Sequence, residues 1–120
     1  MATNKEILLE ANDHIRKGDH ESFLSLCTED VVWNFIGDQI LYGKAAVREY
    51  MATSYAEPPE FIVEDLISED NHVIALGRIS LKDRNGKTVE YDYCDVWKFR
   101  EGRMAVLKAF VSEIKPPVIS

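Results

Sequence analysis

Residues 91–99, Tyr-Asp-Tyr-Cys-Asp-Val-Trp-Lys-Phe, constrain the fold of this chain more than any other stretch. The two-residue period of a strand sets Tyr91, Tyr93, Asp95, Trp97 and Phe99 on one face. An aromatic row of that kind needs a core to pack against, yet a carboxylate stands in its middle. Burying a carboxylate is costly unless a partner or a ligand satisfies it. Asp95 is therefore either a salt-bridged core residue or the polar centre of a ligand pocket.

The rest of the chain supplies the elements around that strand. Thr3-Asn-Lys-Glu6 fits a capping box, with Ile7, Leu8, Ala11 and Ile15 following at helical spacing. Gly18 ends this helix and Asp19 caps a short second one that buries Phe23, Leu24 and Cys27. Glu29-Asp30 reads as a break before a β-branched and aromatic strand, Val31 to Ile36. Gly37-Asp38 turns the chain into a short strand, Gln39 to Tyr42, and Gly43 opens a third helix running to about Ser54. After Pro58-Pro59 the pattern changes to strands at 61–68, 72–82, 87–100 and 103–112. Asp83-Arg-Asn85-Gly86 carries the strongest hairpin signal among their turns. Helices first and a bent antiparallel sheet afterwards make an α+β fold. We expect a single domain over residues 1–115 and a short C-terminal tail at 116–120.

A chain of 120 residues encloses one core. Its net charge of −7 leaves no basic stripe to displace phosphate counterions, so a nucleic-acid partner is not expected. Apolar runs are too short to span a bilayer, and no secretory signal is visible behind the N-terminal Met-Ala-Thr-Asn-Lys-Glu. Cys27 and Cys94 are far apart and lack metal-ligand spacing, which reads as two reduced thiols in a cytoplasmic protein. Three scattered histidines, His14, His20 and His72, give no metal site.

The hairpin at Asn85-Gly86 sets which residues share a face. A loop of two or four residues would group Ile74, Leu76, Arg78 and Ser80 with Tyr91, Tyr93, Asp95 and Trp97. Arg78 would then lie close enough to Asp95 for a charge-assisted hydrogen bond. Leu107, Ala109 and Val111 suit the inside of the curved sheet. The opposite face, read as Val73, Ala75, Gly77, Ile79, Leu81, Cys94 and Val96, is too apolar for open solvent. A second copy covering that convex face as a twofold homodimer is the simplest remedy.

In this order and spacing, Gly18-Asp19, Thr28-Glu-Asp-Val31, Gly43-Lys-Ala-Ala-Val-Arg-Glu-Tyr50 and Cys94-Asp-Val-Trp-Lys-Phe-Arg-Glu-Gly102 resemble the nuclear transport factor 2-like superfamily. The resemblance covers nearly the whole chain. It is to the polyketide cyclase (SnoaL-like) and ketosteroid isomerase-like members in particular. It implies a cone of three helices around a bent, mostly antiparallel sheet (a cystatin-like fold) with a deep apolar cavity and frequent homodimers. The isomerase members use one carboxylate to move a proton, and a neutral acid and a phenol to hold the enolate oxygen. By position Asp95 matches the neutral acid. The base position falls at Asn34 or Phe35 and the phenol position near Ala11, so the family's steroid mechanism is not expected here.

Three uses of Asp95 and Arg78 follow: a structural ion pair, the polar anchor of a ligand site, or a proton-transfer group tuned by the guanidinium. The candidate catalytic residues are accordingly Asp95 and Arg78. Candidate substrate-binding residues are Trp97, Tyr93, Tyr91, Trp33, Phe35, Tyr50, Leu76, Leu107, Ala109 and His14, the last placed about one turn beyond Ala11. The expected partner is a small, largely apolar organic molecule, with no cofactor and no metal. An isomerase- or cyclase-type enzyme, a non-catalytic ligand binder and a pure association module remain the rival readings.

Overall fold

The computed structural model describes residues 2–115, 117 and 118, so Pro116, expected to stop the last strand, and residues 119–120 of the tail lie outside the described residues. Three helices pack on a six-stranded sheet. They are α1 (Asn4–Arg16), α2 (His20–Ser25) and α3 (Gly43–Ser54). The strands are β1 (Cys27–Phe35), β2 (Gln39–Tyr42), β3 (Glu60–Glu69), β4 (His72–Lys82), β5 (Thr88–Arg100) and β6 (Arg103–Glu113). The sheet order is β2-β1-β6-β5-β4-β3, antiparallel except where β1 runs parallel to β6.

The local signals form as read. Glu6 N–H donates to Thr3 Oγ1 at 3.2 Å, and Thr3 N–H donates back to Glu6 Oε1 at 3.1 Å, closing the capping box. Asp19 accepts from Ser22 N–H at 3.2 Å and starts α2. One element differs: Glu29-Asp30 does not break the chain but lies inside β1, where the pairing with β6 shifts register between Cys27 and Val32. Leu8, Ala11 and Ile15 of α1, Phe23 and Leu24 of α2 and Val47 and Met51 of α3 are buried. They meet the concave face of the sheet at Val31, Trp33, Trp97, Phe99 and Leu107 in one continuous core.

The β4–β5 hairpin corrects the expected faces. Gly86 N–H donates to the Asp83 carbonyl at 3.0 Å, and Asp83 N–H donates to the Lys87 carbonyl at 2.9 Å. Gly86 takes a φ of +76°, the left-handed residue that follows a type I turn in a bulged hairpin. The Asp83 carboxylate accepts from the Asn85 and Lys87 N–H groups, both at 2.9 Å, and fixes this arrangement. Asp83 and Lys87 are thus the closing pair, and the loop is Arg84-Asn85-Gly86, an odd length. A one-residue slip moves every side chain of a strand to the other face. The observed partners are Val73 with Trp97, Ala75 with Asp95, Gly77 with Tyr93 and Ile79 with Tyr91. Val73, Ala75, Gly77 and Ile79 therefore lie on the concave side, while Ile74, Leu76 and Arg78 join Cys94 and Val96 on the convex side.

Candidate functional site

Small neighbours create the space around Asp95. In the ladder across β4, β5 and β6 it stands between Ala75 and Ala109, and Phe35 of β1 pairs with Ala109 beyond. The next row is bulky: Val73, Trp97, Leu107 and Trp33. Two alanines cannot cover the carboxyl or bond to it, so a cavity of about 350 Å³ opens above it. Leu8, Asn12 and Ile15 of α1, Phe23 of α2, Tyr50 of α3 and Tyr55 just after α3 form the roof, and Phe61 and Ile79 close the β3–β4 side. A volume near the lower end of typical ligand pockets fits a small organic molecule.

The lining is aromatic. Trp33 is its hub, with Phe23, Phe35, Tyr50 and Trp97 around it at ring-centroid distances of 5.7, 5.9, 6.0 and 6.4 Å, all edge-to-face. The buried Trp33 indole N–H has no acceptor among the described residues. Among the same residues no hydrogen bond or ion pair reaches the Asp95 carboxyl. Removal from water alone pushes its pKa from 3.8 up to about 7. Burial also raises Tyr50, Tyr55 and Tyr93, and the Asp95 charge adds to the shift of Tyr55 and Tyr93.

Of the residues predicted from sequence, Asp95, Trp97, Tyr93, Tyr91, Trp33, Phe35, Tyr50, Leu107 and Ala109 line this cavity. Three do not. Arg78 lies on the convex face, where its Nε sits 3.4 Å from Asp92 Oδ1 with both side chains in solvent. It cannot tune Asp95, because the odd hairpin loop turned it away. Leu76 is displaced for the same reason and pairs with Cys94. His14 sits on the flank of α1, 3.5 Å from Glu10 one turn back, while Leu8, Asn12 and Ile15 carry the cavity face. Tyr93 lines the cavity, but its hydroxyl donates to the Ile62 carbonyl at 3.2 Å. It passes over Gly77, where a Cβ would lie 2.0 Å from that same oxygen.

Tyr55, read from the sequence as able to line an aromatic cavity with Tyr50, does so, and Asn12, Asp38 and Phe61 join it without having been placed there. Asn12 was detectable, since it interrupts the apolar i, i+4, i+7 stripe Leu8, Asn12, Ile15. Tyr55 and Phe61 flank the Pro58-Pro59 strap, whose path depends on how α3 meets the sheet. Asp38 reaches the rim from the Gly37-Asp38 turn after β1, giving the cavity a second, exposed carboxyl where the positional resemblance had pointed to Asn34 or Phe35. Among the described residues no group of three or more His, Cys, Asp or Glu side chains is disposed to hold a metal ion. Among the described residues no helix is long and apolar enough to cross a membrane.

A cone of three helices over a curled, mostly antiparallel sheet is the architecture of the NTF2-like fold. The SnoaL-like domain profile matches residues 8–107, and the chain belongs to that family. Its fold is similar to that of SalBIII, an epoxide hydrolase/cyclase-like enzyme with a role in pyran ring formation in the polyether salinomycin. There the TM-score is 0.83 at 22% identity over 91% of this chain and 90% of that one. A putative SnoaL-like polyketide cyclase from Jannaschia sp. CCS1 superposes with a TM-score of 0.79 at 16% identity, covering 90% of this chain and 84% of the other. An NTF2-like protein of unknown function from Cytophaga hutchinsonii gives 0.75 at 20% identity, over 92% and 100%. No curated protein matches the chain by sequence.

Proposed function

We propose that this SnoaL-like pocket protein binds a small, largely apolar organic molecule between its helices and the concave sheet face, and that Asp95 exchanges a proton with it. The observation that carries this reading is the unpartnered Asp95 carboxyl inside an aromatic cavity. With a pKa of about 7, near ambient pH, the group is matched to accept or donate a proton. Trp33, Trp97, Phe35, Tyr50, Leu107 and Ala109 shape the apolar contacts. Tyr91 and Tyr55, whose hydroxyls bond to nothing among the described residues, are better placed as donors to the ligand than Tyr93. The epoxide hydrolase/cyclase-like neighbour favours isomerase- or cyclase-type chemistry over simple carriage. An association module filled by its own side chains is disfavoured by the open volume beside Asp95.

A substrate-independent test uses 5-nitrobenzisoxazole, a small aromatic of fitting size. A carboxylate takes its ring C–H proton as the N–O bond breaks, releasing a coloured cyanonitrophenolate. Catalysis over buffer, rising with pH through about 7 and falling by roughly 10²-fold or more in Asp95→Asn, is the expected result. Equal rates for the two proteins would remove Asp95 from any proton-transfer role. A ligand that raises the melting temperature with no turnover in any assay would favour the non-catalytic carrier.

The same reading includes a homodimer through the convex face. Ile62, Ile67 and Phe110 are exposed there at 56%, 51% and 44%, beside Leu76, Cys94 and Val96. Phe110→Glu is expected to convert a dimer to monomer in sedimentation; a wild-type monomer at micromolar concentration rejects the interface. Two free thiols, Cys27 and Cys94, suit a reducing cytoplasm.

A further inference from the structure

The charges in the cavity are all of one sign. The elements packed around Asp95 contribute apolar side chains, the hydroxyls of Tyr50, Tyr55, Tyr91 and Tyr93, the amide of Asn12 and a second carboxyl, Asp38. Among the described residues no lysine, arginine or histidine lines it. The nearby Arg16 is already engaged, stacked 4.2 Å above the Phe61 ring with its Nη1 3.2 Å from Asp13. From this juxtaposition of an unpartnered carboxyl, an aromatic wall and no protein cation, we infer that the cavity takes an organic cation. The ligand class is a small aryl or alicyclic amine whose ammonium lies against Asp95 and whose hydrocarbon body fills the aromatic box. The inference rests on reading the cavity as a ligand site and does not require turnover.

Three ligand charges can be weighed. An anion would meet two carboxyls and no counter-charge, so phosphates and carboxylates are excluded by repulsion and desolvation together. A neutral ligand leaves Asp95 to be either ionised without a partner or protonated. A cation satisfies the ionised acid directly: it supplies the charge-assisted hydrogen bond the protein withholds and gains from the quadrupoles of the surrounding rings. Pairing also holds Asp95 in its carboxylate form, the form that accepts a proton. The protein's net charge of −7 favours approach of cations over anions.

The test is calorimetric titration of the intact protein with three indoles of nearly equal shape: tryptamine (cation), tryptophol (neutral) and indole-3-propionate (anion). At low salt and a pH of about 8, where amine and Asp95 are both ionised, tryptamine is expected to bind at least about tenfold tighter than tryptophol, with the propionate weakest. Asp95→Asn should bring the tryptamine-to-tryptophol ratio to within about twofold, chiefly by weakening tryptamine. Lowering the wild-type protein to a pH of about 5 should do the same without a mutation, by protonating Asp95. Tryptophol binding as tightly as tryptamine overturns the cation inference and leaves the ligand site standing. Failure of all three to bind overturns both.

Discussion

Asp92 and Asp95 lie three residues apart on one strand and have opposite circumstances. Asp92 points to the convex side, faces Arg78 at 3.4 Å, and is more than half exposed, as is its partner. Asp95 points to the concave side between two alanines, without a partner among the described residues, and is shifted to about 7. The residue type is identical, so the difference comes wholly from what each face of the sheet supplies. On the convex face water and a mobile guanidinium serve the charge, and little depends on it. On the concave face the helices shield the carboxyl from bulk water, and no side chain among the described residues bonds to it. A carboxyl left in that condition is a place where a ligand has something to add.

The sharpest way to break the contrast is at Gly77, on the concave side. Its missing side chain lets the Tyr93 hydroxyl reach the Ile62 carbonyl, and a Cβ would fall 2.0 Å from that oxygen and 2.8 Å from the hydroxyl. Gly77→Val must push β3 away from β4 or expel Tyr93 into the cavity. We expect a loss of about 3 kcal/mol or more in urea unfolding. A convex substitution to the same residue, Ser112→Val, should stay within about 0.5 kcal/mol. Equal effects would mean that the concave side is as compliant as the surface.

A second test uses pH. The unfolded chain ionises Asp95 near 3.8 and the folded chain near 7, so folding favours the protonated form. The associated stability is complete below 3.8 and is lost as pH rises through about 7. Asn cannot ionise. Asp95→Asn should therefore gain on wild type across that interval, approaching on the order of 4 kcal/mol above it as an upper bound. Parallel stability-versus-pH curves for wild type and Asp95→Asn would show that Asp95 is hydrated after all.

Much of this contrast was legible in the sequence, and the part that was not has one cause. Helix starts came through because Thr3/Glu6 and Asp19 act within a single turn. Strands came through because β-branched and aromatic residues alternate between turn signals. The identity of Asp95 as an acid on an aromatic face needed only period two along β5 itself. Relating β5 to β4 needed the parity of the hairpin loop, and Asp-Arg-Asn-Gly is compatible with even and odd closures. The odd closure depends on the Asp83 carboxylate capping two backbone N–H groups and on Gly86 adopting a positive φ. That single residue of register exchanged Arg78 and Leu76 for Ala75 and Ile79, and turned an expected ion pair into a solitary acid. Asp38 escaped for another reason: it sits in a connection whose direction is set by tertiary packing.

The smallest expected effect concerns the Arg78–Asp92 pair, and it sharpens the contrast from the convex side. Both partners are more than half exposed, so the attraction acts through water and is opposed by the entropy of fixing two side chains. A double-mutant cycle with Arg78→Met and Asp92→Asn should give a coupling of about 0.2–1 kcal/mol. It should shrink markedly on raising salt to about 1 M, where the screening length falls to roughly 3 Å. Asp95 has no such partner to delete. Its stability effects should be nearly independent of salt, because the cost arises from excluded water and not from a neighbouring charge. A salt-independent coupling at Arg78–Asp92 above about 2 kcal/mol would instead indicate that the convex pair is shielded in solution, as a second copy seated on that face would shield it.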